Sequence, residues 1–187
     1  PLAFWPFGLD PQGTDWWTNA RSASLANAAW CASRADAYPT FADGLWGNAA
    51  GLGPWGYVVN GAEPARPPGP RCDGTIPPAS LLGALPPSPE PAAEALRVLR
   101  DRHPDAWDER YGLCDGVNLG AGEAAHQEER GRIPGAWYSP ARFGLNKGVS
   151  ALLGSAALGS TLVWDAYSAH PWTARGLDVL GVQRALR

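Results

Sequence analysis

Two aspartates, Asp73 and Asp115, lie outside the charged stretches and are the side chains best placed for chemistry. Asp73 begins the segment DGT, and Asp115 lies in YGLCDGVN between aromatic and glycine residues. A carboxyl group can bind ligand hydroxyls or transfer a proton, and Asn118 can exchange hydrogen bonds with hydroxyls beside Asp115. An aspartate between an irregular stretch and a helix is also typical of a turn or a cap, so both interpretations of Asp73 remain open.

The stretch LWGNAAGLGPWGY, residues 45–57, combines the features of a binding loop with a complete lack of charged side chains. Its glycines let the backbone approach a ligand closely. Trp46, Trp55 and Tyr57 offer flat apolar surfaces that can stack on sugar rings, although tryptophans also fill protein cores. The chain contains ten tryptophans, and the sequence leaves open which of them line a groove.

The elements that must position these residues are predicted to be mostly helices, from capping residues, prolines and apolar spacing. The predicted helices are residues 14–36 with Thr14 as cap, a short helix from Pro77 and Pro78 to Leu85, a helix capped by Ser88, residues 139–158 with Ser139 as cap, and residues 171–185. The segments 37–71 and 105–138 lack periodicity and are expected to be irregular, and STLVWDAY is the one candidate strand.

Composition limits the class of protein. The chain has 187 residues, 45% of them hydrophobic and 18% charged, which is enough for the core of one domain or a large part of one. Its net charge is −3 and its arginines are dispersed, which argues against a nucleic-acid partner. Three cysteines without paired spacing argue against a disulfide framework and a zinc site, and no metal is expected.

No targeting or membrane segment is visible in the sequence. The first residues, PLAFWPFGLD, lack a methionine and a basic segment, so we expect the compartment to be periplasmic or secreted if a signal lies upstream, and otherwise cytoplasmic. The most apolar run, residues 148–164, is interrupted by glycines and serines and is expected to be a buried helix rather than a membrane span.

Five motifs, in order, resemble those of the glucoamylase-like domain family, which is related to bacterial endo-β-1,2-glucanases and to domains of cyclic β-1,2-glucan synthases. They are WWTNARSASLANAAW, LWGNAAGLGPWGY, CDGTIPPASLLGALPPSPE, RYGLCDGVNL and GLNKGVSALL. The second is similar to the family pattern L-W-G-L-T-A-S-D-G-P-x-G-Y, and the last is similar to G-I-D-Q-G-P. The resemblance covers most of the chain.

The resemblance implies an all-α fold, part of an (α/α)6 toroid with long loops that form a cleft at one end. We expect residues 1–187 to be one glucoamylase-like domain, as its C-terminal half, because a family glutamate in an S-E-I-type segment would lie before this sequence begins. We also expect an N-terminal half or a second chain to cover the open helix faces. The implied substrates are oligo- or polyglucosides, without any cofactor.

The family chemistry implies roles for the matching residues. Glycoside cleavage needs a protonated carboxyl at the leaving oxygen and a second carboxylate to activate water or attack the sugar. The implied catalytic residues are Asp73 and Asp115, and the implied substrate-binding residues are Arg21, Trp46, Trp55, Tyr57, Asn118, Asn146 and Lys147.

Several family acids are replaced in this chain. Leu52 stands where the tryptophan loop carries an aspartate, and Asn146 and Lys147 replace the aspartate and glutamine of the D-Q-G-P motif. Ser155 and Thr18 stand where glutamates are expected. An asparagine can still hydrogen-bond a sugar, but it carries no titratable proton at neutral pH.

Three hypotheses therefore remain open at the level of the sequence. The chain is a hydrolase or transglycosylase acting on glucans through paired carboxylates, or a catalytically degenerate glycan-binding module on the same scaffold. The third is a structural or interaction domain with its tryptophans in the core. The first requires two carboxyl groups facing one cleft, about 5–9.5 Å apart.

Overall fold

The structure, a computed structural model, describes residues 2–61, 72–120 and 135–185. Within these ranges about half of the residues are helical, which bears out the all-α prediction only in part, and the short two-stranded antiparallel sheets were not predicted. The helices are α1 (Trp16–Ala32), α2 (Pro39–Ala42), α3 (Pro78–Ala84), α4 (Pro89–Arg102), α5 (Gly144–Ala157), α6 (Leu162–Ala169) and α7 (Pro171–Leu180). The strands are β1 (Asn48–Gly53), β2 (Gly56–Gly61), β3 (Trp107–Asp108), β4 (Gly112–Leu113), β5 (Val117–Asn118) and β6 (Trp137–Tyr138).

The N-cap of helix α1 lies one residue later than predicted. Asp15, rather than Thr14, is the N-cap, because its Oδ1 accepts hydrogen bonds from the backbone N–H groups of Trp17 and Thr18. A carboxylate at this position satisfies amide groups that have no partner inside the helix. The helix ends at Ala32, four residues before the predicted end.

The prediction that residues 37–71 are irregular is wrong for the part that the structure describes. β1 and β2 form an antiparallel hairpin in which Leu52 pairs with Tyr57 and Gly53 pairs with Gly56. Gly56 has a φ of +117°, a conformation that residues with a Cβ rarely adopt. The glycines removed the alternation of apolar and polar residues that normally predicts strands.

The predicted start of a helix at Ser139 is also wrong. Ser139 continues from β6, since its backbone N–H donates to the Gly116 carbonyl, and its Oγ accepts from the backbone N–H of Ala141. Helix α5 begins at Gly144, with Phe143 in an extended conformation before it. The serine and proline therefore hold a turn at this position and do not cap the helix.

The candidate strand STLVWDAY, residues 160–167, is helical instead, because α6 begins at Leu162. Trp164 is the buried residue of this helix and donates from Nε1 to the Leu2 carbonyl, whereas Leu162 and Tyr167 are exposed. Helices α5 and α6 are bent by 106° relative to each other. In the described ranges, no helix taken singly has the length and apolar character to cross a membrane, and this bent pair has them only when combined.

The core surrounds the short helix α3, which packs against α4 on one side and α5 on the other. Leu81 of α3, Leu99 of α4 and Leu153 of α5 are buried there. An isolated bridge between Ile76 and Val117 connects the residues before α3 to β5. The segments that contain Asp73 and Asp115 are therefore held next to each other by backbone hydrogen bonds.

The β1–β2 hairpin packs closely against the loop that carries Asp115. A Cβ at Gly116 would meet the Leu52 carbonyl oxygen and lie 3.2 Å from the Trp137 ring. We expect Gly116→Ala to lower the free energy of unfolding by about 1–3 kcal/mol, because backbone and ring would have to move. The measurement is urea denaturation.

The matched control is Gly148→Ala in α5, where an added Cβ meets open space. Alanine favours a helix over glycine, so this change is expected to raise stability by about 0.5–1 kcal/mol. Equal effects of the two substitutions would contradict the close contact between the hairpin and the Asp115 loop.

Candidate functional site

A cavity of about 850 Å³ lies between α1, α3 and α5, beside the start of β1. Its described lining is Leu2, Ala20, Ala23, Ser24, Ala26, Asn27, Trp46, Asn48, Ala49, Ala79, Ser80, Gly83, Ala84, Pro87, Leu145, Asn146, Val149, Ser150 and Leu153. These residues include hydroxyl, amide and apolar groups but no Asp, Glu, Lys, Arg or His. One face of α1 points into this cavity, since Ala20, Ala23 and Asn27 all line it.

Asn146 connects this cavity to a buried carboxylate. Its side chain lines the cavity, and its Nδ2 donates to Asp115 Oδ1 over 3.1 Å. It lies in the first turn of α5, which places it beside Leu145 in the cavity wall. Of the predicted site residues, Asn146 and Trp46 line the cavity, and Trp46 is otherwise buried.

Asp115 is almost completely buried, with 1% of its surface exposed. Its Oδ1 also accepts from the backbone N–H of Phe143 over 3.2 Å, and its own N–H donates to the Ala141 carbonyl. Its Oδ2 is buried and has no hydrogen-bond partner among the described residues. The carboxylate thus fixes the start of α5 and retains one acceptor that the described residues leave unused.

Lys147 lies on the other side of this carboxylate. Its Nζ donates to the Leu113 carbonyl, on the strand that precedes Asp115. Burial lowers the pKa of the Lys147 ammonium group, and the negative charge of Asp115 opposes that shift. The lysine is half-buried and is engaged with the protein backbone rather than with the cavity.

Asp73 and Asn118 belong to a separate hydrogen-bonded network. Asp73 is buried, and its Oδ1 accepts from the backbone N–H of Thr75, which is the turn arrangement that the sequence left open. Asn118 Nδ2 donates to the Asp73 carbonyl and to Thr75 Oγ1, while its Oδ1 accepts from the Gly120 N–H. The Asn118 amide is therefore committed to internal partners, and neither residue lines the cavity.

The aromatic residues of the hairpin lie at the edge of the site. Tyr57 is 63% exposed, and its ring packs edge to face on Phe143 at 5.7 Å between centroids. Trp55, at the hairpin tip, is partly exposed. Phe143 directly precedes the turn of α5 that lines the cavity, so this aromatic edge and the cavity are joined through the start of α5.

The structure thus groups some of the predicted residues and separates others. Asp115, Asn146 and Lys147 are adjacent, and Tyr57 reaches them through Phe143. Arg21 is exposed on α1 and does not line the cavity. Phe143 was not among the predicted residues, although an aromatic residue directly before the GLNKG motif was a usable signal.

The structure places the residues that stand where the resemblance implies an acid. Leu52 pairs with the exposed Tyr57, and Thr18 donates from its hydroxyl to the capping Asp15. Ser155 donates to the Leu152 carbonyl within α5. Of the replaced positions, Asn146 is the one that both lines the cavity and contacts a surviving acid.

A carboxyl group at position 146 would lie against Asp115. For Asn146→Asp we expect an unfolding free energy about 1–3 kcal/mol lower at pH 7, because two carboxylates would repel and the Nδ2 donor is lost. One carboxyl pKa would be raised in the folded state, so the folded protein would bind more protons than the unfolded chain. Stability should therefore increase as pH is lowered from 7 towards 5.

The measurement is thermal or urea denaturation at several pH values. Asn48→Asp is the control, because Asn48 lines the same cavity but is exposed. It should differ little from the wild-type chain at any pH in this range. A pH-independent Asn146→Asp variant would contradict the direct contact with Asp115.

Comparison with known proteins supports the resemblance seen in the sequence. A family model described as putative glucoamylase matches residues 4–171. A curated relative from Parabacteroides distasonis, named exo beta-1,2-glucooligosaccharide sophorohydrolase (non-reducing end), is 26% identical over 178 residues. That match covers 91% of this chain and 22% of the relative, so the chain spans under a quarter of that relative's length.

Two solved structures share the fold. A putative glucoamylase from Bacteroides uniformis has a TM-score of 0.71 and 25% identity, over 95% of this chain and 39% of that one. A beta-1,2-glucanase from Parabacteroides distasonis has a TM-score of 0.73 and 24% identity, over 94% of this chain and 22% of that one. Because the family model matches most of its length, this chain belongs to the putative glucoamylase family.

Proposed function

We propose that this chain binds glucan oligosaccharides in the uncharged cavity between α1, α3 and α5, with the Tyr57–Phe143 edge as a continuation of the site. The observation that carries the proposal is the position of Asn146, a neutral amide between the cavity and the buried Asp115. Membership of the family supports a carbohydrate ligand. The curated relative, named for β-1,2-glucooligosaccharides, supports a β-1,2-linked glucan as the first ligand to test.

The composition of the cavity suits a neutral sugar. A pyranose ring presents C–H groups on its faces and hydroxyl groups around its edge. Trp46, Tyr57 and Phe143 offer aromatic surfaces for the faces. The amides of Asn48 and Asn146 both donate and accept, which matches hydroxyl groups. An anionic ligand would find no cationic side chain in the described lining.

Binding fits the geometry better than cleavage by the described residues. Cleavage needs two carboxyl groups on opposite sides of a glycosidic bond. Asp115 is covered by Asn146 and the start of α5, and Asp73 is held in a turn. Neither side chain lines the cavity, so the described part of the chain does not present the acid pair there.

Hydrolysis or transglycosylation of glucans is the second candidate, with Asp115 as its central acid and Asp73 as the second. One observation favours it: Asp115 Oδ2 is buried and lacks a partner among the described residues. If Asp115 acts in this way, the isosteric variant Asp115→Asn would abolish any release of reducing ends that the wild-type chain shows.

We further propose an architecture for the site. In it, α1, α3 and α5 are inner helices of an (α/α)6 toroid, and residues 1–187 form part of one glucoamylase-like domain. The chain spans 22% to 39% of the lengths of the relatives described above. We propose the binding of glucan for this part of the protein, and the activity of the whole protein is a separate proposal.

The exposed tyrosine gives a direct test of the binding proposal. We expect Tyr57→Ala to weaken the binding of a β-1,2-glucan oligosaccharide about tenfold, because one stacking surface is lost. Isothermal titration calorimetry on the purified chain measures this change. The matched control is Tyr111→Ala, since Tyr111 is similarly exposed but packs against Arg110 outside the site.

The control should bind the oligosaccharide with the affinity of the wild-type chain. Equal affinities for Tyr57→Ala and Tyr111→Ala would remove the aromatic edge from the site. If the wild-type chain binds neither β-1,2- nor α-linked glucans at millimolar concentration, the proposed function is wrong.

A further inference from the structure

A second cavity adjoins the first near the start of α1. Its volume is about 420 Å³, and its described lining is Leu2, Phe7, Trp16, Asn19, Ala20 and Val182. Leu2 and Ala20 also line the larger cavity, so the two are neighbours along α1. None of the residues assigned to the site from the sequence lies in it.

The indole of Trp16 is fixed while remaining accessible. Trp16 is 44% exposed, yet its Nε1 donates to Asp10 Oδ2 over 2.9 Å. Asp10 Oδ1 in turn accepts from the backbone N–H groups of Gln12 and Thr14. The Asp10 carboxylate therefore holds the turn before α1 and, through the same side chain, fixes the orientation of the exposed Trp16 indole.

Both ends of the described chain build this cavity. Gly8 donates to the Gln183 carbonyl, and Gln183 donates back to Leu9. Trp16 also donates from its backbone to the Gly8 carbonyl. These backbone hydrogen bonds bring Phe7 and Val182 into the lining of one cavity.

We infer that this second cavity is an outer subsite for a neutral sugar unit, occupied by the far end of a glucan chain bound in the larger cavity. The inference rests on the proposed function and extends it to the length of the ligand. Trp16 and Phe7 supply aromatic surfaces, and the Asn19 amide is the polar group beside them. The described lining carries no charge, which fits a neutral carbohydrate and not a nucleotide or an acidic peptide.

The subsite predicts a dependence on ligand length. A trisaccharide fills the larger cavity alone, whereas an octasaccharide also reaches Trp16. Trp16→Ala should therefore weaken octasaccharide binding about tenfold and change trisaccharide binding by less than about twofold. Titration calorimetry of linear β-1,2-glucan oligosaccharides of both lengths measures the two affinities.

Two further variants separate a subsite from a structural role. Trp172→Ala is the matched control, since Trp172 is 76% exposed and lines neither of the two cavities. It should bind both ligands as the wild-type chain does. Trp16→Phe keeps an aromatic face but loses the hydrogen bond to Asp10, and it should retain octasaccharide affinity within about threefold.

The outcomes are distinct. If Trp16→Ala binds the octasaccharide as well as Trp172→Ala does, or weakens both lengths equally, the subsite is refuted while the proposed function stands. The same holds if Trp16→Phe loses as much affinity as Trp16→Ala, because the indole would then act through Asp10 as a structural anchor. If the wild-type chain binds no glucan, the proposed function and the subsite fail together.

Discussion

The hydrogen bond from Asn146 Nδ2 to Asp115 Oδ1 is the contact on which the rest of the site depends. Together with the bond from the Phe143 N–H, it fixes where α5 begins. With α5 beginning at this point, Phe143 packs against the Tyr57 ring of the hairpin and Asn146 lines the cavity. Because its Oδ1 accepts both donors, Asp115 is a structural centre as much as a chemical candidate.

An amide at position 146, where the sequence resemblance implies an acid, gives this part of the cavity a different chemistry. Two carboxyl groups in contact share a proton, and one of them acquires the raised pKa that a general acid needs. An asparagine beside Asp115 donates a hydrogen bond instead and leaves a single acid covered from the cavity. The described lining consists of apolar, hydroxyl and amide groups, and the proposed recognition of a sugar rests on this composition.

Much of the fold could be predicted from the sequence, because prolines, caps and apolar spacing act locally. The short helix after Pro77 and the helix after Ser88 occur where these signals place them. The hairpin of residues 48–61 was missed, since its glycines hide the strand pattern. Family motifs identified Asp115 and Asn146, but only tertiary structure reveals that Asn146 covers Asp115. For the same reason, the sequence could not predict that the Asn118 amide bonds only within the protein or that the Trp16 indole is exposed.

Nuclear magnetic resonance titration of the chain with a β-1,2-glucan oligosaccharide tests the central claim most directly. The side-chain amide of Asn146 and the indole N–H of Trp46 report on the cavity, and the indole N–H of the exposed Trp172 reports on a surface outside it. We predict saturable shifts of the Asn146 and Trp46 resonances with the Trp172 resonance unchanged. A titration in which the Asn146 resonance stays fixed while the glucan binds would contradict the account.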